Sequence, residues 1–325
     1  MRSWIERGAR APHVMRLWRA WLGGVRLESL SERGFPLPDS LRRDMPLLEA
    51  ELDALATPIS DHTSADGSVR TLLRLSDGLT VESVLLPRDG LCVSTQVGCA
   101  VGCLFCMTGR DGLKRNLSPE EILAQVALGR RRRPVRRVVF MGMGEPSHNM
   151  PAVAAALDRL GHEGGFGHKN LVFSTVGDLR LFDRLLAQRV KPAVALSLHT
   201  TDGELRARLL PRAPRIAPAA LIEAADAYAR KTTYPIQYQW TLLEGVNDGD
   251  GELARLGDLM QQRHGIVNFI PYNAVDGLPY RRPSWERARE MARTLHRRGV
   301  LAKLRRSAGQ DVEGACGQLR ARHAS

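Results

Sequence analysis

The sequence predicts an α/β fold, six strand–helix units behind a small helical N-terminal unit, and three observations carry that expectation. Short β-rich runs alternate with helical stretches from Leu91 to Arg298. A hairpin signal, Asp77-Gly78 between two strand-like runs, separates this region from an earlier one with helical periodicity only. At 325 residues and 43% hydrophobic, the chain can bury one large core with a small accessory unit.

Taken in order, Val14, Leu17, Trp18, Trp21 and Leu22 recur at helical spacing, and Gly23-Gly24 ends that helix. The turn-rich Phe35-Pro36-Leu37-Pro38 leads into a second helical pattern from Leu41 to Leu55, so residues 1–65 read as an N-terminal helical accessory domain and 66–325 as the main domain. Val69 to Leu75 and Thr80 to Leu86 are the hairpin strands. Six further strands follow: Leu91 to Thr95, Val135 to Phe140, Asn170 to Ser174, Pro192 to Leu198, Ile236 to Leu242 and Ile266 to Ile270. Helices are expected at Pro119 to Gly129, Pro151 to Leu160, Leu179 to Leu186, Pro218 to Arg230, Glu252 to His264 and Ser284 to Arg298. As crossovers they make the sheet parallel and cover its outer face; an open sheet and a barrel both satisfy this pattern. In a barrel, chemistry collects at the C-terminal strand ends, and the motifs described next follow Thr95, Phe140, Ser174 and Leu198.

The balance of 47 Lys plus Arg against 35 Asp plus Glu gives a net charge of +12, the footprint of a polyanion binder or of an Arg-biased proteome. No run of 18 apolar residues exists, which argues against a membrane span, and the Arg-rich N-terminus lacks the apolar core of a secretory signal. Five cysteines, three of them between Cys99 and Cys106, suit a metal or redox role in a reducing cytoplasm better than a disulfide framework.

Cys99, Cys103 and Cys106 offer three thiolates on the loop leaving the first main-domain strand. A four-iron, four-sulfur cluster ordinarily takes four, so three leave one iron open to a substrate. A structural zinc site completed by Cys92 or a histidine is the alternative, although zinc favours paired knuckles. The cysteine spacing, with an aromatic before the last Cys, resembles the radical S-adenosylmethionine (SAM) superfamily. Cys92 to Cys99, Cys106-Met107-Thr108-Gly109, Lys114 to Leu117 and Gly309 to Leu319 resemble the RlmN/Cfr RNA methyltransferases within it, from about Asp66 to Leu319.

That resemblance implies a partial (β/α)6 radical SAM barrel holding the cluster on Cys99, Cys103 and Cys106, with two SAM molecules used per turnover. It implies that Cys316 takes a methyl group from one SAM, that a 5'-deoxyadenosyl radical from the second activates it, and that the carbon radical adds to an adenine. Cys92 matches the resolving cysteine that attacks the sulfur of Cys316 and leaves a disulfide, and Glu82 matches the proton acceptor. From the residues alone, Cys92 and Cys316 also read as small buried hydrophobes and Glu82 as a solvated strand position. Gly144 and Glu145, then Ser174, then Ser197, Leu198 and His199, then Asn273 match SAM contacts, with a satisfied core histidine as the alternative for His199. The implied partners are 23S rRNA, with a tRNA as a second target, and a flavodoxin or ferredoxin as electron donor, acting on a monomer. Carbon 2 of adenosine is the expected target; a Cfr-type carbon-8 enzyme and a radical SAM enzyme with a non-RNA substrate are the rivals.

Arg130 to Arg133, with Arg136 and Arg137, reads as a solvated helix end favoured by the helix dipole rather than as an RNA patch. Three stretches depart from the family pattern: Ala9 to His13 where a Lys-Pro-Phe-Arg-like motif is usual, Ser174-Thr175-Val176-Gly177, and Ser147-His148-Asn149. They bear on the substrate rather than the chemistry.

Overall fold

The structure, a computed structural model, describes residues 2–32, 37–275 and 277–321. The helical N-terminal unit comprises α1 (Arg2–Glu6), α2 (Ala11–Leu22), α3 (Ser29–Glu32), α4 (Asp39–Arg43) and α5 (Met45–Asp53). In α2 the expected apolar stripe buries Leu17, Trp18, Trp21 and Leu22, and the helix ends at Gly23 with Gly24 at φ +76°. The turn read at Phe35-Pro36 lies outside the described residues.

Strands β1 (Ala56–Thr63), β2 (Val69–Leu75) and β3 (Thr80–Leu86) form an antiparallel meander. The second and third match the expected hairpin, turned at Asp77-Gly78 with Gly78 at φ +84°. The first was assigned to the N-terminal unit. It is an edge strand with mostly exposed side chains, so no apolar alternation marks it.

β4 (Gly90–Cys92) pairs antiparallel with β3 and parallel with the next main-sheet strand. Between them the chain forms a two-stranded sheet, β5 (Gln96–Gly98) and β6 (Leu113–Asn116), and then α6 (Pro119–Arg132). There follow β7 (Arg137–Phe140), α7 (Met150–His162), β8 (Leu171–Thr175), α8 (Leu179–Ala187), β9 (Ala193–Ser197), α9 (Gly203–Leu209), α10 (Pro218–Thr232), β10 (Ile236–Leu242), α11 (Asp250–Met260), β11 (Gly265–Pro271), α12 (Trp285–Arg297) and β12 (Ala302–Leu304). The order in the ten-stranded sheet is β1-β2-β3-β4-β7-β8-β9-β10-β11-β12, parallel from β4 onward.

The α/β fold with a central parallel sheet therefore holds, with one strand more than expected. β12 pairs with β11 alone, so among the described residues no ladder closes the barrel, and three residues are too few to show a period. α9 is a further element that the sequence reading did not separate.

One hydrophobic cluster runs from Leu17, Trp21 and Leu48 to Val84, Leu91, Ile122 and Phe140, so the helices of residues 2–53 pack onto the sheet domain. The arginine run corrects the expectation of a solvated helix end. Arg130 donates to the carbonyls of Leu22 (3.0 Å) and Gly164 (2.7 Å), and Arg131 to Asp53 (2.7 Å). Arg132 donates to Asp61 (2.7 Å) and Arg133 to the carbonyls of Gly67 (2.9 Å) and Leu86 (2.8 Å). These side chains strap the last turn of α6 to the N-terminal helices and the meander.

Candidate active site

At the C-terminal ends of the parallel strands, Cys92 closes β4, Ser174 lies within the last turn of β8 and Ser197 ends β9. Gly144 and Glu145 follow β7, His199 follows β9, and Asn273 follows β11. The two serines are half-buried.

The cysteine loop is pinned on three sides. Cys99 N donates to Gly112 O (3.1 Å) beside the small sheet, and Leu104 N donates to Leu209 O (3.0 Å) on α9. Met107 N donates to Gly317 O (2.8 Å), next to Cys316. Gly98 sits at φ +77°, and a Cβ there would come within 1.9 Å of Gly112 O, so the loop exit tolerates glycine only. All three thiols are free. Burial, with the neighbouring Cys106 and Glu145 adding to it, pushes the Cys99 thiol up to about 12; burial also raises Cys103, with Cys106 and Cys99 adding to it, and Cys106, with Cys316 adding to it. One buried and two half-buried thiols on one short loop form a donor set suited to a group that brings positive charge. Among the described residues no three His, Cys, Asp or Glu side chains are arranged to hold a single metal ion. A closed zinc site needs thiolates roughly 3.8 Å apart, whereas each corner of an iron-sulfur cubane takes one thiolate at a separate iron.

Glu145 is buried and meets no cation: Oε1 accepts from Ser147 N (3.1 Å) and Oε2 from Val176 N (3.0 Å). Gly144 makes that placement feasible. At φ +104°, a Cβ would lie 2.7 Å from Gln96 Cβ, and Gln96 Oε1 also accepts from Glu145 N (2.8 Å). Asn273, 6% exposed, donates through Nδ2 to Ser307 Oγ (3.0 Å) and Cys316 O (2.9 Å), leaving Oδ1 buried without a partner. Thr95 Oγ1 and Tyr272 Oη are orphaned likewise. An unpaired buried carboxylate and several unfilled polar atoms beside three thiols fit a zwitterionic ligand such as SAM docked at a cluster.

His199 has φ +64°, accepts from Thr241 N at Nδ1 (3.0 Å) and stacks edge-on against Phe105 at 4.9 Å. Burial, aided by the charge of Arg206, lowers its pKa to about 3, so the ring is neutral with its proton on Nε2. It is both a satisfied core histidine and a wall of the cysteine loop. Leu198 contributes its backbone N–H to Gln239 O (3.1 Å).

A cavity of about 1060 Å³ joins Cys92, Cys106 and Cys316. Both outer cysteines are free thiols, so the implied disulfide is not formed in this structure. Burial raises the Cys92 thiol well above its ordinary value, and the charge of Cys316 adds to it. Cys316 itself is exposed, on a segment tied at one end by Gly309 N to Asp66 (3.0 Å) and by Ser64 and Ala65 to Asp311 (2.5 and 3.1 Å). At the other end Thr108 Oγ1 donates to Leu319 O (2.7 Å), and Glu82 Oε2 accepts from the backbone N–H groups of Arg320 (2.8 Å) and Ala321 (2.9 Å). Arg70 pairs with the other oxygen of Glu82. Glu82 is thus buried against the C-terminal segment and does not line the cavity. Ser307, Asp311 and Arg206 escaped the sequence reading, because nothing in local spacing tells that an isolated polar residue will meet a segment far along the chain.

The model of the radical SAM superfamily matches residues 93–257. A probable RNA methyltransferase from Thiobacillus denitrificans is 63% identical over 318 residues, 98% of this chain and 88% of the relative. Another, from Methylibium petroleiphilum, is 62% identical over 97% of this chain and 90% of its own length. The crystal structure of a radical SAM methyltransferase from Sphaerobacter thermophilus superposes with a TM-score of 0.81 at 37% identity, covering 88% of this chain and 86% of that one. The cofactors are accordingly an iron-sulfur cluster and SAM. With half of its length matched by the family model and nearly all of it by relatives, the chain belongs to the radical SAM superfamily.

Proposed function

We propose that this protein is a radical SAM methyltransferase of the RlmN/Cfr type that methylates carbon 2 of an adenosine in RNA, with 23S rRNA as the main substrate and a tRNA as a second. The observation that carries the reading is the shared cavity: Cys92 and Cys316, distant in sequence, open onto one space with Cys106 of the cluster loop. The names of the relatives support an RNA substrate. So does the mouth, where Arg282, Arg305 and Arg306 line the cavity beside Trp285 and enter no ion pair among the described residues.

Cys99, Cys103 and Cys106 would hold the cluster; Glu145 would take the ammonium group of SAM, and Asn273 Oδ1 a polar edge of it. When bound, the cluster and SAM together supply a methyl donor and a one-electron cleavage that yields a hydrogen-abstracting radical. Cys316, the exposed member of the pair, accepts the methyl group on sulfur and carries it to the base. Cys92, kept protonated by burial, stays inert until the base is joined to Cys316. Once it gives up its proton it attacks the sulfur of Cys316; the carbon–sulfur bond breaks with its electron pair toward the base, whose carbon takes a proton to become the methyl group, and a disulfide remains. For Glu82 to accept the ring proton, residues 320–321 must first leave its carboxylate.

Cys92→Ala tests the scheme. It should still methylate Cys316 and add to RNA, leaving an RNase-sensitive conjugate in a denaturing gel that Cys316→Ala and the double variant lack. Normal turnover of Cys92→Ala with release of free methylated RNA would overturn the two-cysteine mechanism. Liquid chromatography of nucleosides from the wild-type reaction against 2-methyladenosine and 8-methyladenosine standards, read by mass spectrometry, separates carbon 2 from carbon 8.

A further inference from the structure

A buried guanidinium without a carboxylate is costly, because it has left water and gained no opposite charge. Arg206, on α9, is 3% exposed and in this position. One terminal nitrogen donates to the carbonyls of Val176 and of Ser197 (the latter at 3.1 Å), at the ends of the third and fourth parallel strands, while Nε is buried without an acceptor. It enters no ion pair among the described residues. The element that carries it is bonded to the cysteine loop: Leu104 N donates to Leu209 O (3.0 Å) and Arg212 N to Val101 O (3.3 Å). Leu205, Leu209 and Leu210 share one apolar cluster with Cys99, Cys103, Phe105 and Cys106. Burial lowers the Arg206 pKa to about 10, and the opposing influences come from Cys103 first and Glu145 second.

We propose that Arg206 is the counter-charge of the cluster site, a positioning cation fixed behind the cysteine loop that favours the reduced, more negative cluster. The proposal rests on the family's cluster and is independent of the RNA substrate. The physical case is one of charge. Three thiolates on one short apolar loop accumulate negative charge, each added electron increases it, and a cation held in low dielectric offsets it far more than one in water. Fixing the guanidinium on two backbone carbonyls means that no reorganisation accompanies electron arrival. Glu145 does not neutralise Arg206 directly: its Oε2 accepts from Val176 N while Arg206 donates to Val176 O, so one residue holds the two buried charges apart.

The experiment is a redox titration of the cluster-loaded, SAM-free protein followed by electron paramagnetic resonance, with iron and sulfide content measured alongside. Arg206→Gln keeps an amide N–H for the two carbonyls but removes the charge. It should make reduction at least tenfold less favourable, a midpoint lower by about 59 mV or more. Arg206→Lys should stay near wild type. Arg212→Gln removes an exposed charge from the same loop and should shift the equilibrium less than threefold, because solvent screens it. An unchanged midpoint in a fully loaded Arg206→Gln overturns the proposal, including the case in which only SAM binding weakens and the residue proves to anchor the cofactor's carboxylate. A shift in Arg206→Lys as large as in Arg206→Gln also overturns it, since shape rather than charge would be responsible. Should Arg206→Gln fail to load, iron retention against a chelator takes its place: retention by Arg206→Lys alone supports the counter-charge, and loss from both overturns it. A wild-type protein that binds no iron would instead overturn the cofactor assignment itself.

Discussion

Cys92 and Cys316 face one cavity from opposite conditions, the first buried with its thiol pushed well up, the second exposed. Cys99, Cys103 and Cys106 are set apart from both by their shared loop, and on the proposed assignment iron binding should follow that loop alone. Cys103→Ala should lose iron and sulfide on anaerobic reconstitution while Cys92→Ala retains both; colorimetric iron and sulfide analysis checks it, and loss of iron from Cys92→Ala would point to a four-cysteine site. His199 gives a second test. Its folded-state pKa of about 3 lies below the ordinary 6.5, so the unfolded chain binds the proton first. Stability is therefore lost as pH falls through 6.5 toward 3, with a slope rising toward about 1.4 kcal/mol per pH unit. His199→Asn keeps an acceptor for Thr241 N but has no titrating ring. Denaturant midpoints between pH 7.5 and 5 should fall less steeply in this variant than in wild type, and parallel curves would contradict the assignment.

At the scale of the element, the end of α6 shows how a run of like charges is consumed by packing. Arg131 reaches Asp53 at 2.7 Å and the buried Glu49 at 3.4 Å, and Glu49 also caps Leu27 N at 3.0 Å. Removing Arg131 leaves Glu49 with only the more distant and exposed Arg26, at 3.6 Å. Arg131→Ala should cost ~2 kcal/mol of stability and leave RNA affinity unchanged. Thermal unfolding and a filter-binding assay read the two quantities separately, and an unchanged melting temperature with weakened RNA binding would return this run to the RNA surface. The strap was illegible in the sequence because each partner, from Leu22 to Gly164, is set by how the helices fall against the meander.

For the whole molecule, the net charge of +12 leaves many basic side chains outside ion pairs among the described residues, and Arg282, Arg305 and Arg306 are among those that line the cavity. The acids of that cavity, Asp66 and Asp311, are already engaged by hydrogen bonds holding the Cys316 segment. If Arg306 contacts one phosphate, Arg306→Ala should weaken RNA binding and reduce the slope of log affinity against log salt by about 0.7. Fluorescence anisotropy at several salt concentrations measures it; an identical slope would remove Arg306 from the interface.

The sequence by itself determined the hairpin, the six main parallel strands with their crossover helices, and the cysteine loop, because periodicity, turn chemistry and close spacing are local properties. It also pointed to Cys92 and Cys316, through motif resemblance rather than any physical signal linking them. The tertiary structure decided what depends on distant contacts. It added β12, which forms only because β11 offers an edge, and placed β1, whose exposed face gives no pattern. It buried Glu82 against the C-terminal segment and turned the arginine run into a strap. It also buried Arg206 on the helix bonded to the cysteine loop, with no ion pair among the described residues. Partners chosen by packing between separate elements leave no trace in spacing, and the contacts of Arg206 and of the arginine run are of that kind.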